Sequence, residues 1–457
     1  MIMSMNKDLG GKAVAIKLRD FSSIQMRTFH MTWMAFFLAF FGWFGIAPMM
    51  ALVRDDLNLT KTEVGNTMIA SVAATVVARL FIGWVADKFG PRITYSVLLV
   101  VGSIPVMLIG TANSYESFLL FRLAIGVIGA SFVLTQYHTS VMFAPNVIGT
   151  ANATTAGWGN LGGGVTQMIM PVILSMILLF GVSEAVGWRV AMVLPGVALF
   201  VMGFVYYRFT KDTPHGNFKD LPNQASAGPS GTKLETLKEV VKDKRVWALF
   251  VIYAACFGIE LTINNIAALY YHDRFELSIG VAGLIAGLFG LMNLFARSLG
   301  GIFGDKIGIR FGLRGRALFM GCVILCEGFA LILFSQMSIL ALAIPTMIVF
   351  SILVQMSEGA TFSVVPFINR KALGTVAGIV GAGGNVGAVM AGFLFRAEGI
   401  ETQTAFLILG ITVASVSVLT LLVKFSPAQE REQAELIDAA IKQRTAAALQ
   451  PAANYGD

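Results

Sequence analysis

Twelve apolar stretches, near residues 32–53, 64–86, 93–111, 117–143, 148–180, 188–207, 247–270, 279–304, 316–335, 337–362, 372–396 and 403–424, are each long enough to cross a lipid core. A hydrocarbon layer of about 30 Å needs roughly 20 such residues. With 56% hydrophobic and only 13% charged residues, and a mean hydropathy of +0.75, the chain is too apolar to fold as a soluble globule. The expectation is an all-α polytopic membrane protein whose solvent is the lipid bilayer. Its 48 glycines suit helices that pack backbone to backbone in lipid. An even number of crossings puts both ends on one side. The first stretch follows some thirty polar and basic residues with no small-residue cleavage site after it, so it reads as a retained helix.

Lysine and arginine set the orientation. With cytoplasmic ends, 25 of the 33 basic residues fall on the inside and 4 on the outside, namely Arg54, Lys61, Arg274 and Arg396. The expected location is therefore a plasma membrane, the inner membrane if the cell is bacterial, with both termini cytoplasmic. This distribution accounts for the net charge of +7 without nucleic acid, the basic loops facing anionic inner-leaflet lipid. The organisation expected is a cytoplasmic tail (1–31), a six-helix bundle (32–208), a cytoplasmic linker (209–245), a second bundle (246–424) and a cytoplasmic tail (425–457). The linker carries Pro214, Gly216, Pro222 and a run from Ala225 to Gly231 before a charged helical stretch. Pro427 to Thr445 reads as a surface helix. Cys256, Cys322 and Cys326 lie in apolar stretches and read as packing residues. His30 and His138 carry no functional expectation.

The halves repeat. Gly83-x-x-x-Asp87-x-x-Gly90-x-Arg92 recurs 218 residues later as Gly301-x-x-x-Asp305-x-x-Gly308-x-Arg310, and Arg79 and Arg297 each stand eight residues before the aspartate, inside an apolar stretch. Two charges at matched depth are costly, about 2.5–3.5 kcal/mol each on insertion scales, so they point to a functional site for an anion. The alternative is that either arginine pairs with a helix carboxylate or with carbonyls. A second repeat is independent of the first. Gly149, Ala153, Ala156 and Asn160 align with Gly374, Gly378, Gly381 and Asn385 at an offset of 225. The spacing puts each set on one helical face, a small-residue strip that lets helices approach and rock, ending in a carboxamide able to donate to an anion. Parallel six-helix repeats with a midplane site describe one large class of secondary transporter.

The loop motifs resemble that of the major facilitator superfamily. Ala156-Gly157-Trp158-Gly159-Asn160-Leu161-Gly162, paired with Gly381-Ala382-Gly383-Gly384-Asn385-Val386-Gly387, is similar to the twin signature of its nitrate/nitrite porter family. Residues 58–61 and 253–261 resemble the plant, algal and fungal high-affinity members. The likeness covers about residues 30–424 and implies two pseudo-symmetric six-helix bundles around a central site, with nitrate between Arg79 and Arg297. It also assigns Tyr253 and Phe257 to the site, and Phe132 by a less distinctive match.

Chemistry agrees with that assignment. Nitrate is flat and delocalised, so a planar guanidinium can offer it two parallel hydrogen bonds where an ammonium cannot, and aromatic faces can hold it. Arg122 resembles a superfamily arginine able to order an outer gate, and Arg189 reads as structural. Asp87 and Asp305, with Arg92 and Arg310, are expected to tie neighbouring helices together and hold the inner side shut.

Importing an anion against an inside-negative potential costs roughly 2.3 kcal/mol per charge per 100 mV. Accumulation therefore needs cotransport of more than one proton, or exchange for an internal anion such as nitrite. Glu260 is the expected proton carrier, with Glu327 and Glu358 as others. The resemblance favours symport. A carrier of small organic anions would also want buried arginine, and a membrane anion sensor would need a signalling domain or long ordered tail. No metal-ligand cluster or nucleophile–base spacing supports an enzyme or a cofactor. A second subunit is not required by this reading.

Overall fold

The computed structural model describes residues 11–220, 233–369 and 372–449. Residues 1–10, Pro222 and the Ala225–Gly231 run, Arg370, Lys371 and residues 450–457, all parts of the tails and loops expected above, lie outside the described residues. The described chain is helical nearly throughout, with two isolated bridges, Ala13 to Phe143 and Thr213 to Gly216, as its β-type pairings.

In chain order the helices are α1 (Ile24–Phe44), α2 (Met50–Asp56), α3 (Lys61–Phe89), α4 (Pro91–Leu108), α5 (Tyr115–Gly126), α6 (Ser131–Met142), α7 (Ile148–Leu178), α8 (Glu184–Ala191), α9 (Val193–Phe209), α10 (Lys233–Lys242), α11 (Lys244–Phe275), α12 (Ile279–Leu291), α13 (Ala296–Ser335), α14 (Leu340–Val364), α15 (Leu373–Arg396), α16 (Thr402–Val416) and α17 (Pro427–Leu449). Eleven helical segments are long and apolar enough to span a membrane, and one of them, Ile279–Ser335, has 57 residues. It contains two crossings. Gly312 breaks α13 at φ +70° and ψ −168°, outside helical space, in a region that glycine enters without steric cost. The chain doubles back there, since Arg316 Nη1 reaches Asp305 Oδ1 at 2.7 Å, whereas eleven residues of straight helix would span roughly 16 Å. The twelve expected crossings stand.

Several crossings are interrupted, and the interruptions serve the site. Between α5 and α6 the 3-10 turn Val127–Ala130 presents the Gly129 carbonyl sideways, and a side chain at Gly129 would collide with Trp43 and Thr75. Between α12 and α13 the turn Met292–Leu294 carries the buried Asn293. Such short 3-10 turns re-aim backbone and side-chain groups that a continuous helix would direct elsewhere.

Large apolar side chains ring the outside, among them Val77, Phe81, Trp84, Val101, Phe204, Phe329, Leu333, Val349 and Met390. A continuous apolar exterior of this extent needs lipid around it. Cys322 and Cys326 are also exposed, so only Cys256 packs inside as expected. The two halves meet where α3 packs on α15 and α7 on α13 and α14. Pro427–Leu449 is helical as expected, and Glu430 on it accepts the backbone N–H groups of Leu313 and Arg314 at 2.8 and 3.0 Å. We call the side bearing the chain ends the terminal face and the other the far face.

Candidate functional site

Arg79 on α3 and Arg297 on α13 are both completely buried, and the fold brings them to the same pair of rings. The Arg79 guanidinium lies 4.8 Å from the Phe132 centroid and 5.0 Å from that of Phe257; for Arg297 the distances are 5.7 and 5.8 Å. Phe132 on α6 stacks on Phe257 and Tyr253 of α11, with centroids 5.4 and 5.7 Å away. Tyr253 and Phe257, one turn apart, are nearly parallel at 13°. Phe362 closes the cluster edge-on, 5.0 Å from Phe132 and 4.9 Å from Tyr253. Aromatic faces carry negative charge density, which steadies both cations.

The arginines are otherwise unlike. Arg79 donates from Nε to Gly129 O at 3.2 Å and from Nη1 across the bundle boundary to Gly381 O. Arg297 pairs through Nη1 with Glu358, with Glu260 Oε2 3.6 Å away, and donates from Nη2 to the Tyr253 hydroxyl at 2.9 Å. Both partner types named above as alternatives are therefore present, carbonyls for Arg79 and carboxylates for Arg297. Arg79 Nη2 and Arg297 Nε have no hydrogen-bond partner among the described residues. A buried donor left unpaired costs about 1–3 kcal/mol.

The carboxamides have protein partners. Asn160 Nδ2 donates to Glu260 Oε2 at 2.6 Å, and Asn385 Nδ2 to Val72 O at 3.3 Å. A buried carboxylate attracts amide donors, and Asn293 supplies the second one, to Glu260 Oε1 at 2.8 Å. Glu260, expected to carry protons, thus has both oxygens held by amide N–H groups.

The signature glycines are close-approach positions. A Cβ on Gly157 would lie 3.0 Å from Arg297 Cβ, and one on Gly381 would lie 3.4 Å from Arg79 Nη1 and from the Phe132 ring. At Gly159, Gly162, Gly384 and Gly387 it would strike Phe36, Phe37 O, Phe257 and Ala254 O respectively. Gly83 is buried on α3.

Both sides of this layer are closed by contacts between the halves. Toward the far face, Arg122 Nη2 donates to Asn265 Oδ1 at 2.9 Å and Ser71 Oγ reaches the same atom at 3.4 Å. Beyond them a cavity of about 580 Å³ opens between α3, α11 and α15, with Arg54, Lys61 and Arg274 on its wall. Arg54 bridges to Asp273 at 3.1 Å. Arg189 is structural, held to Asp56 at 2.5 Å, and His138 is satisfied by Tyr206 and Lys211 O.

Toward the terminal face, Asp305 accepts from Thr150 N at 2.7 Å and Thr150 Oγ1 at 2.6 Å. It thereby caps the N-terminus of α7 from the opposite half, where the helix dipole favours a carboxylate. Gly301, one turn earlier, would meet Ala153 if it bore a side chain. Arg310 is not the arginine on Asp305. Asp305 pairs with Arg316, while Arg310 lies over Phe311 at 5.3 Å. Arg92 donates to Tyr207 O at 2.7 Å, and Asp87 sits within hydrogen-bonding reach of the Tyr137 hydroxyl. The reason is the reversal at Gly312, which carries Arg316 back over Asp305 and leaves Arg310 pointing outward.

Residues 32–368 match the family model described as Major Facilitator Superfamily. The chain belongs to that superfamily. Among curated proteins it is similar to High affinity nitrate transporter 2.5 of Arabidopsis thaliana, 38% identical over 92% of this chain and 83% of that protein. It is also similar to Nitrate transporter 2.2 of Chlamydomonas reinhardtii, 36% identical over 84% and 75%, and to Nitrate/nitrite transporter NrtP of Picosynechococcus, 30% identical over 79% and 83%. Among solved structures, a bacterial homologue of the human lysosomal transporter Spinster, inward-facing and unoccupied, superposes with a TM-score of 0.60 at 16% identity, covering 92% of this chain and 98% of that one. Four features of this facilitator's site escape sequence reasoning. Phe362, Asn293 and Asn265 lie in apolar stretches without a repeat mate of the same type. Arg316 stands beyond the motif whose aspartate it serves.

Proposed function

We propose that this protein is a secondary transporter that imports nitrate, and nitrite with it, across a plasma membrane by alternating access, with both termini cytoplasmic. One observation carries the reading. Two guanidiniums 218 residues apart, one from each half, converge on the same aromatic rings. The names of the relatives supply the substrate, and the site chemistry suits it. A flat monovalent oxyanion between the cations would take the unpaired Nη2–H of Arg79 and an N–H of Arg297, with Phe132, Phe257 and Tyr253 excluding water around it. Spherical anions lack the geometry for paired guanidinium bonds, and ammonium donors would not hold a plane.

Transport follows from which contacts cross the boundary. The Arg122–Asn265 and Arg54–Asp273 contacts must part for entry from the far, outer face, and Asp305–Thr150 for release on the terminal, inner face. The small-residue strips of α7 and α15 let the halves rock between those states with little obstruction. The coupling ion is the proton, because Arg297 stands beside two buried carboxylates able to take one up.

The test is labelled nitrate uptake into proteoliposomes under an imposed pH gradient, a membrane potential or internal nitrite. Uptake driven by the pH gradient and lost in Arg79→Ala and Arg297→Ala supports the reading. Undiminished flux in the double variant sinks it, and uptake that requires internal nitrite makes the protein an exchanger.

A further inference from the structure

We propose that Glu358, not Glu260, is the proton acceptor of the cycle, and that the anion replaces its carboxylate on Arg297 once it is protonated. The proposal rests on the nitrate reading above and adds to it the atom that couples the two ions.

Glu358 on α14 is completely buried. Its Oε2 pairs with Arg297 Nη1, and no donor among the described residues reaches its Oε1. Glu260 approaches the same Nη1, and the two carboxyl groups lie within hydrogen-bonding reach of each other. Like charges so placed repel, and one proton between them removes the repulsion. Hydrogen bonding decides where that proton sits. Both oxygens of Glu260 accept amide N–H groups, from Asn160 and Asn293, and donors of this kind favour the ionised carboxylate over the acid. Glu358 has an oxygen to spare.

The charged and titratable groups around Glu358 close the account. Arg297 faces it from α13, with Glu260, Tyr253 and Cys256 from α11 and Arg79 from α3. Glu327, on the second limb of α13, is bridged to the neighbouring Ser357, whose hydroxyl donates to Glu327 Oε2 at 2.6 Å. Two ionised glutamates balance the two arginines and leave no net charge for an anion. A proton on Glu358 raises the site by one positive charge, and one monovalent anion restores neutrality. Unbalanced buried charge is the expensive state, so the proton and the anion enter together and leave together.

The step is a proton transfer and an exchange of hydrogen bonds. A proton from water on the entry side joins the Glu358 carboxylate, the Glu358–Arg297 ion pair breaks, and an anion oxygen accepts from Arg297 Nη1 while another accepts from Arg79 Nη2. No bond within the anion changes. Once the site opens to the terminal face the anion leaves, the proton follows it to water, and the ion pair re-forms. Through Glu358 one proton then moves with each nitrate.

The test uses the purified full chain in detergent, with nitrate as the probe. Wild-type affinity should weaken about tenfold per pH unit on the alkaline side, the linkage expected for one proton. E358Q should bind with an affinity that does not vary with pH, while E358D keeps the slope. Independently of any variant, nitrate added to the wild type in weakly buffered solution with a pH indicator should take up about one proton per anion bound. Three results overturn the proposal: wild-type binding without proton uptake, an unaltered slope in E358Q, or a slope abolished by E260Q alone. Failure of the wild type to bind nitrate at any pH would instead refute the substrate, which separates the two claims.

Discussion

Replacing Asp305 by Asn tests the terminal-face gate without touching the aromatic site. The carboxylate makes three short contacts, to Thr150 N at 2.7 Å, Thr150 Oγ1 at 2.6 Å and Arg316 Nη1 at 2.7 Å, and two of them join the halves. A hydrogen bond to a charged group contributes about 1.5–3 kcal/mol against roughly 0.5–1.5 for a neutral one. Removing the charge therefore weakens each contact by about 1 kcal/mol, and the two that join the halves by about 2 kcal/mol together. It also leaves the Arg316 guanidinium buried without its counter-ion. A change of about 2 kcal/mol corresponds to a shift of roughly 30-fold toward the open arrangement. The reporter is Ala153→Cys, placed where α7 meets Gly301, in a background lacking Cys256, Cys322 and Cys326. Its labelling by a membrane-impermeant maleimide from the terminal side should rise by one to two orders of magnitude in Asp305→Asn. Labelling within about threefold of the parent would mean that Asp305 does not hold this side closed, whatever its hydrogen bonds.

Other outcomes follow from the same coordinates. Arg79→Lys keeps the charge but cannot hold both the Gly129 and Gly381 carbonyls and face an anion, so nitrate KM should rise about 10- to 150-fold, a loss of roughly 1.5–3 kcal/mol; an unchanged KM removes Arg79 from the site. Tyr253→Phe deprives Arg297 Nη2 of its acceptor and should raise KM about fivefold, near 1 kcal/mol, with little effect on thermal stability. Gly387→Val would drive a side chain into the Ala254 carbonyl and should destabilise the detergent-solubilised protein by about 1–3 kcal/mol, seen as a lower Tm. Gly399→Ala, with nothing within 4 Å of the added carbon, serves as the control, and equal effects at both positions would refute the packing argument.

The chemistry of the site was partly legible before any fold. Arg79 and Arg297 announce themselves because a guanidinium in an apolar stretch is costly and the offset repeats. Glu358 is as buried and as charged, yet it has no mate in the other half and no motif, so its pairing with Arg297 shows only when α14 is laid against α13. Glu260 illustrates the reverse. Its place one turn beyond Phe257 suggested a proton carrier, and only the amides of Asn160 and Asn293, from α7 and the α12–α13 turn, reveal that its oxygens are taken. Asp305 was expected to act with Arg310, and its partners in the fold are Thr150 and Arg316, because spacing along a chain is a poor guide to distance once the chain reverses at Gly312.

What the amino-acid order determined by itself is whatever depends on local thermodynamics and internal repetition. Apolar length dictates membrane crossing because an unpaired backbone has no place in hydrocarbon, basic residues sort the loops by side, and a duplicated pattern implies duplicated helices. Tertiary structure decided the partners. Ion pairs, amide clamps and cross-half contacts fall off within a few ångströms, and which groups come that close depends on how α3 meets α15 and α7 meets α13. No single segment holds that information, since each of those interfaces joins helices from opposite halves of the chain.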